Sequence, residues 1–493
     1  MKIFFFTTYI NTPHYETELE LMENHLQAGD EVVQIVCNGV LETCLHNPDH
    51  NLIKCIDCIK KRKAGSALLG KSIRNIDLEK YFDRQEKFAC PTFDTIQDLK
   101  KYQVGNFDVG YAIASTVIDL YRQGNPDMKQ ISGMVSSLLE TSLKMYSACE
   151  RLIKAERPDL VYIFNGRFAI ERAVLRASEI YGTRFINHER GSGKDFYEKF
   201  VNLLPHLATL KTDLISDYWE NGASDKREVA KAFFEDRVKR KDQGWVSFLG
   251  DQVFGKLPES FRDDLKTVVI YTSSEFEYAS IGQEWENDIY SSTVDAVTKI
   301  NAFLNMNPLG NEYKIYVRIH PYVKQHFHEE EALVAALNGE LNFEIISSKS
   351  DVCSYSLLKK ASKVISLGST IGIEAAYWGK PSVLMGPSSY ANLGSTYNVS
   401  SIKEVFDLVL DKDLPPLPID GALKYGYYLQ TYGSPFTHYR AESLFDGTFK
   451  GKNLNAASRE YTRHRKLSVL RLLETSVFSV SRKVRRLISK GTQ

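Results

Sequence analysis

Two α/β domains facing each other across a cleft, each built on a doubly wound sheet, with a helical tail after them, are what this sequence predicts. Three observations carry that expectation. Apolar strand-like runs alternate with helix-periodic runs in two separate series. A charged stretch with little strand signal, residues 205–262, lies between the series and is punctuated at its end by Gly244, Gly250 and Gly255. A loop of small residues, Gly368-Ser369-Thr370, joins a strand to a helix in the second series. At 493 residues the chain exceeds one ordinary core and suffices for two domains and a tail. The expected divisions are 1–204, a helical crossover over 205–262, 263–445, and a tail over 446–493.

The first series opens with a strand, Lys2 to Thr7. A helix bearing Leu19, Leu21, Met22 and Leu26 follows and ends at Gly29, and Glu31 to Cys37 is the next strand. Strand, helix, glycine turn and strand make a βαβ unit, which requires parallel pairing. Asp77 to Glu156 is helix-rich, with apolar residues spaced by three and four. The alternation returns with a strand at Leu160 to Phe164, a helix at Ala169 to Tyr181 and a strand at Arg184 to His188. The second series runs through strands at Thr267 to Thr272, Tyr313 to Ile319 and Phe343 to Ile346. Its helices lie near Ile289 to Asn305 and Ser354 to Ala361. It closes with strands at Val364 to Leu367 and Ser382 to Met385 around a short helix. Ligands of such sheets sit at the carboxyl ends of strands.

Composition narrows the class. Hydrophobic residues make up 43% and charged residues 25%, as in globular proteins, and the formal net charge is zero. No overall field draws the chain to nucleic acid, which is not an expected partner. No run of about 20 apolar residues suggests a membrane span. The start, MKIFFFTTYI, reads as a core strand rather than a signal peptide, because its apolar run is short and polar residues follow at once. A cytoplasmic location with reduced thiols is the expectation for the seven cysteines. Four of them, Cys37, Cys44, Cys55 and Cys58, fall within one short stretch with His46 and His50. That spacing admits a structural zinc site, or an iron–sulfur cluster, with Lys60 to Lys63 offsetting thiolate charge. It equally admits four unrelated thiols.

Three segments bear on chemistry. Gly368, Ser369 and Thr370 leave backbone N–H groups unpaired ahead of a helix and add two hydroxyls, a setting suited to phosphate. Glu374, about one turn on, could reach a ribose. YKIYVRIHP, Tyr313 to Pro321, ends a strand in Arg318, a fork of phosphate donors, and His320. VVIYTSSEFE, Val268 to Glu277, runs a strand into Ser273, Ser274 and Glu275, further possible phosphate or sugar contacts. The plainer alternatives are an N-cap, a histidine satisfying a strand-end carbonyl and a Ser/Thr turn.

Together these segments, over Thr267 to Met385, resemble bacterial capsule and surface-polysaccharide glycosyltransferases of the GT-B type. The resemblance is to families with a His-Pro dyad, such as Kdo transferases and sialyltransferases, and more distantly to teichoic-acid glycerophosphotransferases. Asn165 to Arg167 (NGR) and His188 to Gly193 (HERGSG) are similar to acceptor-side loops of capsule proteins. The resemblance implies donor-phosphate contact by His320, Ser369 and Thr370. It implies a nucleotide-sugar donor, CMP-linked acidic sugars before UDP-sugars, and a glycan or glycolipid acceptor. The chain lacks the acidic pair followed by glycine found in the best-defined members, which leaves the base open.

Glycosyl transfer needs stabilisation of a leaving phosphate and removal of a proton from the acceptor. Arg318, His320 and the Ser369/Thr370 loop could meet the first need without a metal, so metal-free transfer with no catalytic cofactor is expected, and a protein base favours inversion. Glu189 is the first candidate base, with His14 and Glu16 behind it. Two other readings stand: an epimerase of GT-B type acting on a UDP-sugar, and a non-catalytic scaffold for capsule assembly. From Arg459 onward ten Lys/Arg face two Glu, and Leu467, Leu470, Leu473, Val477 and Val480 keep near-helical spacing. Such a segment suits an anionic membrane surface at the inner face of the cell, or docks back on the first domain.

Overall fold

The structure, a computed structural model, describes residues 1–83, 85–241, 243–244, 249–307, 312–321, 328–337 and 343–455. The basic segment from Arg459 lies outside the described residues. No helix among the described residues is long and apolar enough to cross a membrane.

The chain begins with β1 (Lys2–Thr7), α1 (His14–Gln27), β2 (Glu31–Val36), α2 (Leu52–Ser66) and β3 (Arg74–Asp77). An insertion of α3 (Ile96–Lys100), α4 (Val109–Tyr121) and α5 (Met128–Glu156) follows. Then come β4 (Leu160–Phe164), α6 (Ala169–Ile180), β5 (Arg184–Arg190) and β6 (Phe196–Val201). The crossover holds α7 (Ala208–Glu220) and α8 (Lys226–Val238). The second domain is β7 (Lys266–Tyr271), α9 (Thr293–Met306), β8 (Tyr313–Arg318), α10 (His328–Ala336), β9 (Phe343–Ile346), α11 (Ser354–Lys360), β10 (Lys363–Ser366), α12 (Ile371–Tyr377), β11 (Ser382–Leu384), β12 (Tyr397–Asn398), α13 (Ile402–Leu410) and α14 (Asp420–Thr431). Short strands β13 (Ser434–Pro435), β14 (Tyr439–Ala441) and β15 (Gly447–Phe449) close the described chain.

Both expected sheets form. The first has the order β13-β6-β5-β4-β1-β2-β3 and the second β12-β11-β10-β7-β8-β9. All pairs of the second sheet are parallel. The continuous apolar run of β1 is explained by burial on both faces. Phe4 and Phe6 pack toward the inserted helices, while Ile3 and Phe5 pack with α1 and the β14–β15 hairpin. In β7 the same alternation sends Val268 and Ile270 to one core and Val269 and Tyr271 to another.

Two differences from the sequence reading bear on the site and the domain boundary. The segment FYEKFV, not anticipated as a strand, is β6, and it pairs antiparallel with β5. This hairpin extends β5 to Arg190, so Glu189 stands on a strand opposite Glu198 rather than in a loop after it. The chain also leaves the second domain before residue 445. Ser434 and Pro435 pair with β6, and Tyr439, Phe449 and Leu454 join the first domain's core. The crossover helices go the other way: Ile215, Phe233 and Phe234 pack with α14 and with Ile373, Leu384 and Tyr390 of the second domain.

The returning segment is fastened by one buried carboxylate. Glu20, 1% exposed, accepts the N–H groups of Thr437 at 2.8 Å, His438 at 2.9 Å and Tyr439 at 3.2 Å. A carboxylate shared by three N–H groups stabilises more than a surface pair, because its removal orphans the buried Tyr439 N–H and leaves two partly buried N–H groups without their acceptor. Glu20→Ala is expected to cost about 3 kcal/mol in denaturant unfolding. A loss of under about 0.5 kcal/mol, the range of neutral surface changes, would show the hairpin is held by apolar packing alone.

Candidate functional site

The second sheet switches direction of winding at β7, with β8 on one side and β10 on the other. Its carboxyl edge there is where a ligand crevice is expected. A cavity of about 280 Å³ occupies this edge, and Thr272, His320, Pro321, Ser369, Thr370 and Glu374 are among the residues lining it. The strand-end histidine and the hydroxyl-bearing loop therefore share one crevice.

Backbone geometry shapes the loop. Gly368 has φ +103°, and a Cβ there would meet Pro387 O at 2.8 Å. The Ser369 carbonyl is turned inward, accepting from Ser366 Oγ at 2.9 Å and from the Tyr390 hydroxyl. Thr370 precedes α12 without a capping bond from its side chain. His320 is anchored through its N–H to Thr272 Oγ1 at 2.9 Å. Burial, and then the Arg318 charge, lower its ring to about 4, so at neutral pH it is an uncharged imidazole.

Two expected donor contacts are otherwise engaged. Arg318 is 2% exposed, and its guanidinium donates to Ser347 O, to Ser350 O at 3.3 Å and to Ser354 Oγ at 3.3 Å. Burial lowers it to about 10, still charged at neutral pH. It braces the loop between β9 and α11, although it borders the cavity. Glu374, also 2% exposed, accepts from the Tyr355 hydroxyl and pairs with Arg237 Nε at 3.2 Å. Its carboxylate ties the crossover to the second domain.

Ser273, Ser274 and Glu275 do not line the cavity. Glu275 accepts the Thr293 N–H at the start of α9, and the residues after it reach the first domain. Lys100 Nζ donates to Ala279 O at 2.6 Å, Ser115 Oγ donates to Ser280 O, and Trp285 Nε1 donates to His206 O at 2.6 Å. This segment is an interdomain strap.

Sequence reasoning missed the cations. Arg237, Arg240 and Lys241, from the end of α8 and just beyond, line the cavity opposite the strand ends. Arg240 donates through one amine to Gln252 O at 2.6 Å, and Lys241 pairs with Asp236 at 2.7 Å. The charge run of the crossover was the available signal, but nothing in its spacing says which face meets the sheet.

The first domain assembles a second set at the ends of β1, β4 and β5. His14 Nδ1 stands 3.6 Å from Glu189 Oε1, and His206 Nε2 stands 3.9 Å from Glu189 Oε2. Asn165 Nδ2 donates to Glu189 Oε2 at 2.5 Å, and the Arg190 N–H donates to Oε1 at 2.9 Å. Burial alone would raise the Glu189 carboxyl, yet the charge His14 and His206 carry when protonated, together with these N–H donors, outweighs it and holds it well below the usual carboxylate range. Burial pushes His14 and His206 to about 3, with Glu189 pulling the other way. One carboxylate does not offset the desolvation of two rings, so neutral imidazoles beside an ionised Glu189 are the resting state. Glu16, the other expected base, is spent: it pairs with Lys61 at 3.2 Å and accepts from Thr12 Oγ1 at 2.9 Å. The two sets meet through the HERGSG loop, where a Cβ on Gly193 would lie 3.1 Å from the carbonyl of Gln243, a cavity residue.

The four clustered cysteines lie near enough for their charges to act on one another. Cys55 and Cys58 lie on α2 rather than in a loop. Among the described residues no group of three or more His, Cys, Asp or Glu could hold a metal ion. Burial raises the Cys37, Cys44 and Cys58 thiols, Cys58 to about 12. Of the nearby basic run, Lys61 faces Glu16 and Arg62 donates to Asn38 Oδ1 at 2.7 Å.

Residues 209–407 match the family described as capsule polysaccharide biosynthesis protein. The resemblance read from the strand-end motifs is therefore found again over the crossover and most of the second domain. No curated protein matches the chain. Among solved structures, the beta Kdo 2,4 transferase of Thermosulfurimonas dismutans KpsC is similar at 13% identity, over 62% of this chain and 88% of that one, with a TM-score of 0.36. The UDP-GlcNAc 2-epimerase of Neisseria meningitidis bound to UDP-GlcNAc is similar at 11% identity, over 87% and 96%, with a TM-score of 0.27. Likeness this loose transfers no activity.

The half-buried imidazoles make stability depend on pH, His206 least, since its side chain keeps 32% exposure. Unfolded, His14, His206 and His320 take up protons below about pH 6.5. Folded, they do so only near pH 3 to 4. The unfolded chain binds more protons in between, so stability rises with pH across that window and is lost on acidification. Urea unfolding at stepped pH is expected to show losses of up to about 1.4 kcal/mol per pH unit for each ring. His206→Gln and His320→Gln should each flatten the slope; an unaltered slope in both contradicts the assignment.

Proposed function

We propose that this protein is a glycosyltransferase that moves a sugar from a nucleotide-linked donor to a glycan or glycolipid acceptor. The observation that carries the proposal is the single cavity shared by His320, Ser369 and Thr370 and faced by Arg237, Arg240 and Lys241. Hydroxyl donors, an imidazole and several cations around one crevice suit a phosphate whose negative charge grows as it leaves. The match of residues 209–407 to capsule polysaccharide biosynthesis proteins supports the same reading. A CMP-linked acidic sugar is the favoured donor, on the His-Pro resemblance.

The acceptor side falls to the first domain. A carboxylate held as low as Glu189 is a weak base; the neutral imidazole beside it, itself lowered by burial but raised by the Glu189 charge, is the other proton acceptor in reach. His14 fits: with its Nδ1 toward Glu189, Nε2 is left to take the acceptor hydroxyl proton while Glu189 stabilises the imidazolium. The 3.6 Å separation is long for a hydrogen bond, and such contacts commonly shorten when substrate binds. The acceptor oxygen then forms a bond to the anomeric carbon as the bond to the donor phosphate breaks.

A thermal-shift series with CMP, UDP, CDP and GDP tests the donor site, because a ligand of the native state raises apparent stability. One nucleotide should raise the midpoint in the full chain, and His320→Ala and Thr370→Val should weaken that shift. Glu189→Gln should keep the shift and lower transfer by about 10²–10⁴-fold. No shift with any nucleotide, or shifts unaltered in both cavity variants, would overturn the proposal.

A further inference from the structure

Asn165, the first residue of the NGR segment, is the residue on which the acceptor-side cluster is hung. It leaves β4 in the left-handed region, with φ +56°, which asparagine tolerates better than most residues. Gly166 follows at φ +82°, and a Cβ there would lie 2.5 Å from Asn187 Oδ1. The turn therefore presents the Asn165 side chain sideways along the edge toward β5. Every polar atom of that side chain is engaged. Oδ1 accepts the Arg167 N–H at 3.3 Å. Nδ2 donates to Glu189 Oε2 at 2.5 Å and lies 3.2 Å from His206 Nε2. The backbone N–H is fixed to His188 O at 3.0 Å.

This pattern sets the amide orientation, since a reversed amide would place its oxygen against the carboxylate and its NH₂ against the Arg167 N–H. A nitrogen that faces the Asn165 NH₂ must be an acceptor. The proton of neutral His206 is then on Nδ1.

We propose that Asn165 is a positioning residue: its amide takes one oxygen of Glu189, leaving the other for His14, and fixes His206 as the Nδ1–H tautomer. The role of the cluster in transfer rests on the reading above; the tautomer does not. Other charged and titratable groups face Glu189 too. Tyr9 comes from the loop after β1, His14 from the start of α1, Arg167 from the turn after β4, Arg190 from β5, Glu198 from β6, and His206 from ahead of α7.

The test uses the full chain with ¹⁵N-labelled histidine and needs no substrate. His206 is assigned by the resonances lost in His206→Gln. The native chain should show His206 as a single Nδ1–H tautomer near neutral pH. Asn165→Asp keeps the shape and the left-handed turn but faces Nε2 with an acceptor, so His206 should switch to the Nε2–H tautomer. Asn165→Gly, which keeps the turn and removes the amide, should give a mixture. A tautomer unchanged in both variants would overturn the proposal, as would a mixture in the native chain. Where transfer is measurable, Asn165→Asp sets a second carboxyl against Glu189 Oε2; the pair holds a shared proton that is lost only at higher pH, which moves the acid limb of the kcat profile to higher pH. A merely structural role would lower stability without moving that limb. If Glu189→Gln leaves transfer intact, the base reading fails while the tautomer result still stands.

Discussion

Parallel pairing is the constraint on which everything at the cleft depends. A strand that must be followed by a crossover and then by another parallel strand delivers its loop to one edge of the sheet. Both sheets also reverse their winding next to their first strand, opening a crevice at β1 and β4 in one and at β7 and β10 in the other. His14, Asn165 and Glu189 are neighbours because of where three strands stop, although the chain separates them widely. The same holds for Thr272, His320 and Thr370.

The two edges are not independent. The strap after β7 crosses to the inserted helices, and Trp285 holds the backbone of His206. Glu284 adds to this by accepting the N–H groups of Ala208 at 2.6 Å and Thr209 at 3.1 Å, at the start of α7. In the opposite direction the crossover brings Arg237 to Glu374, a buried pair whose loss would strand a carboxylate. Each domain thus reaches into the other's half of the site. Movement of one sheet against the other would disturb His206 and the cation set together.

Much of this was legible in the sequence. The two βαβ series and the strand-end placement of His320 and Thr370 follow from apolar periodicity and glycine position, which are local signals. Glu189 and His14 were also within reach, because each lies near the end of a strand. What was not legible depends on partners distant in the chain. Arg318 and Glu374 look like ligand contacts until the carbonyls of Ser347 and Ser350, or Arg237, are seen to occupy them. Glu16 looks free until Lys61 meets it from another helix. The strand FYEKFV carries two charged residues in six, so its alternation is blurred, and with it went the extension of β5 that carries Glu189. The cysteine stretch was read as one loop, whereas a helix beginning at Leu52 carries Cys55 and Cys58.

The central claim is that one phosphate seat lies at the carboxyl edge of the second sheet, between β8 and β10, within the cleft. A crystal structure of the full chain with the nucleotide that stabilises it most is the direct measurement. The account predicts its phosphate within hydrogen-bond distance of the His320 ring and the Ser369–Thr370 loop, with Arg240 or Lys241 against the same group. A nucleotide seated elsewhere, with that loop and that ring untouched, would contradict it.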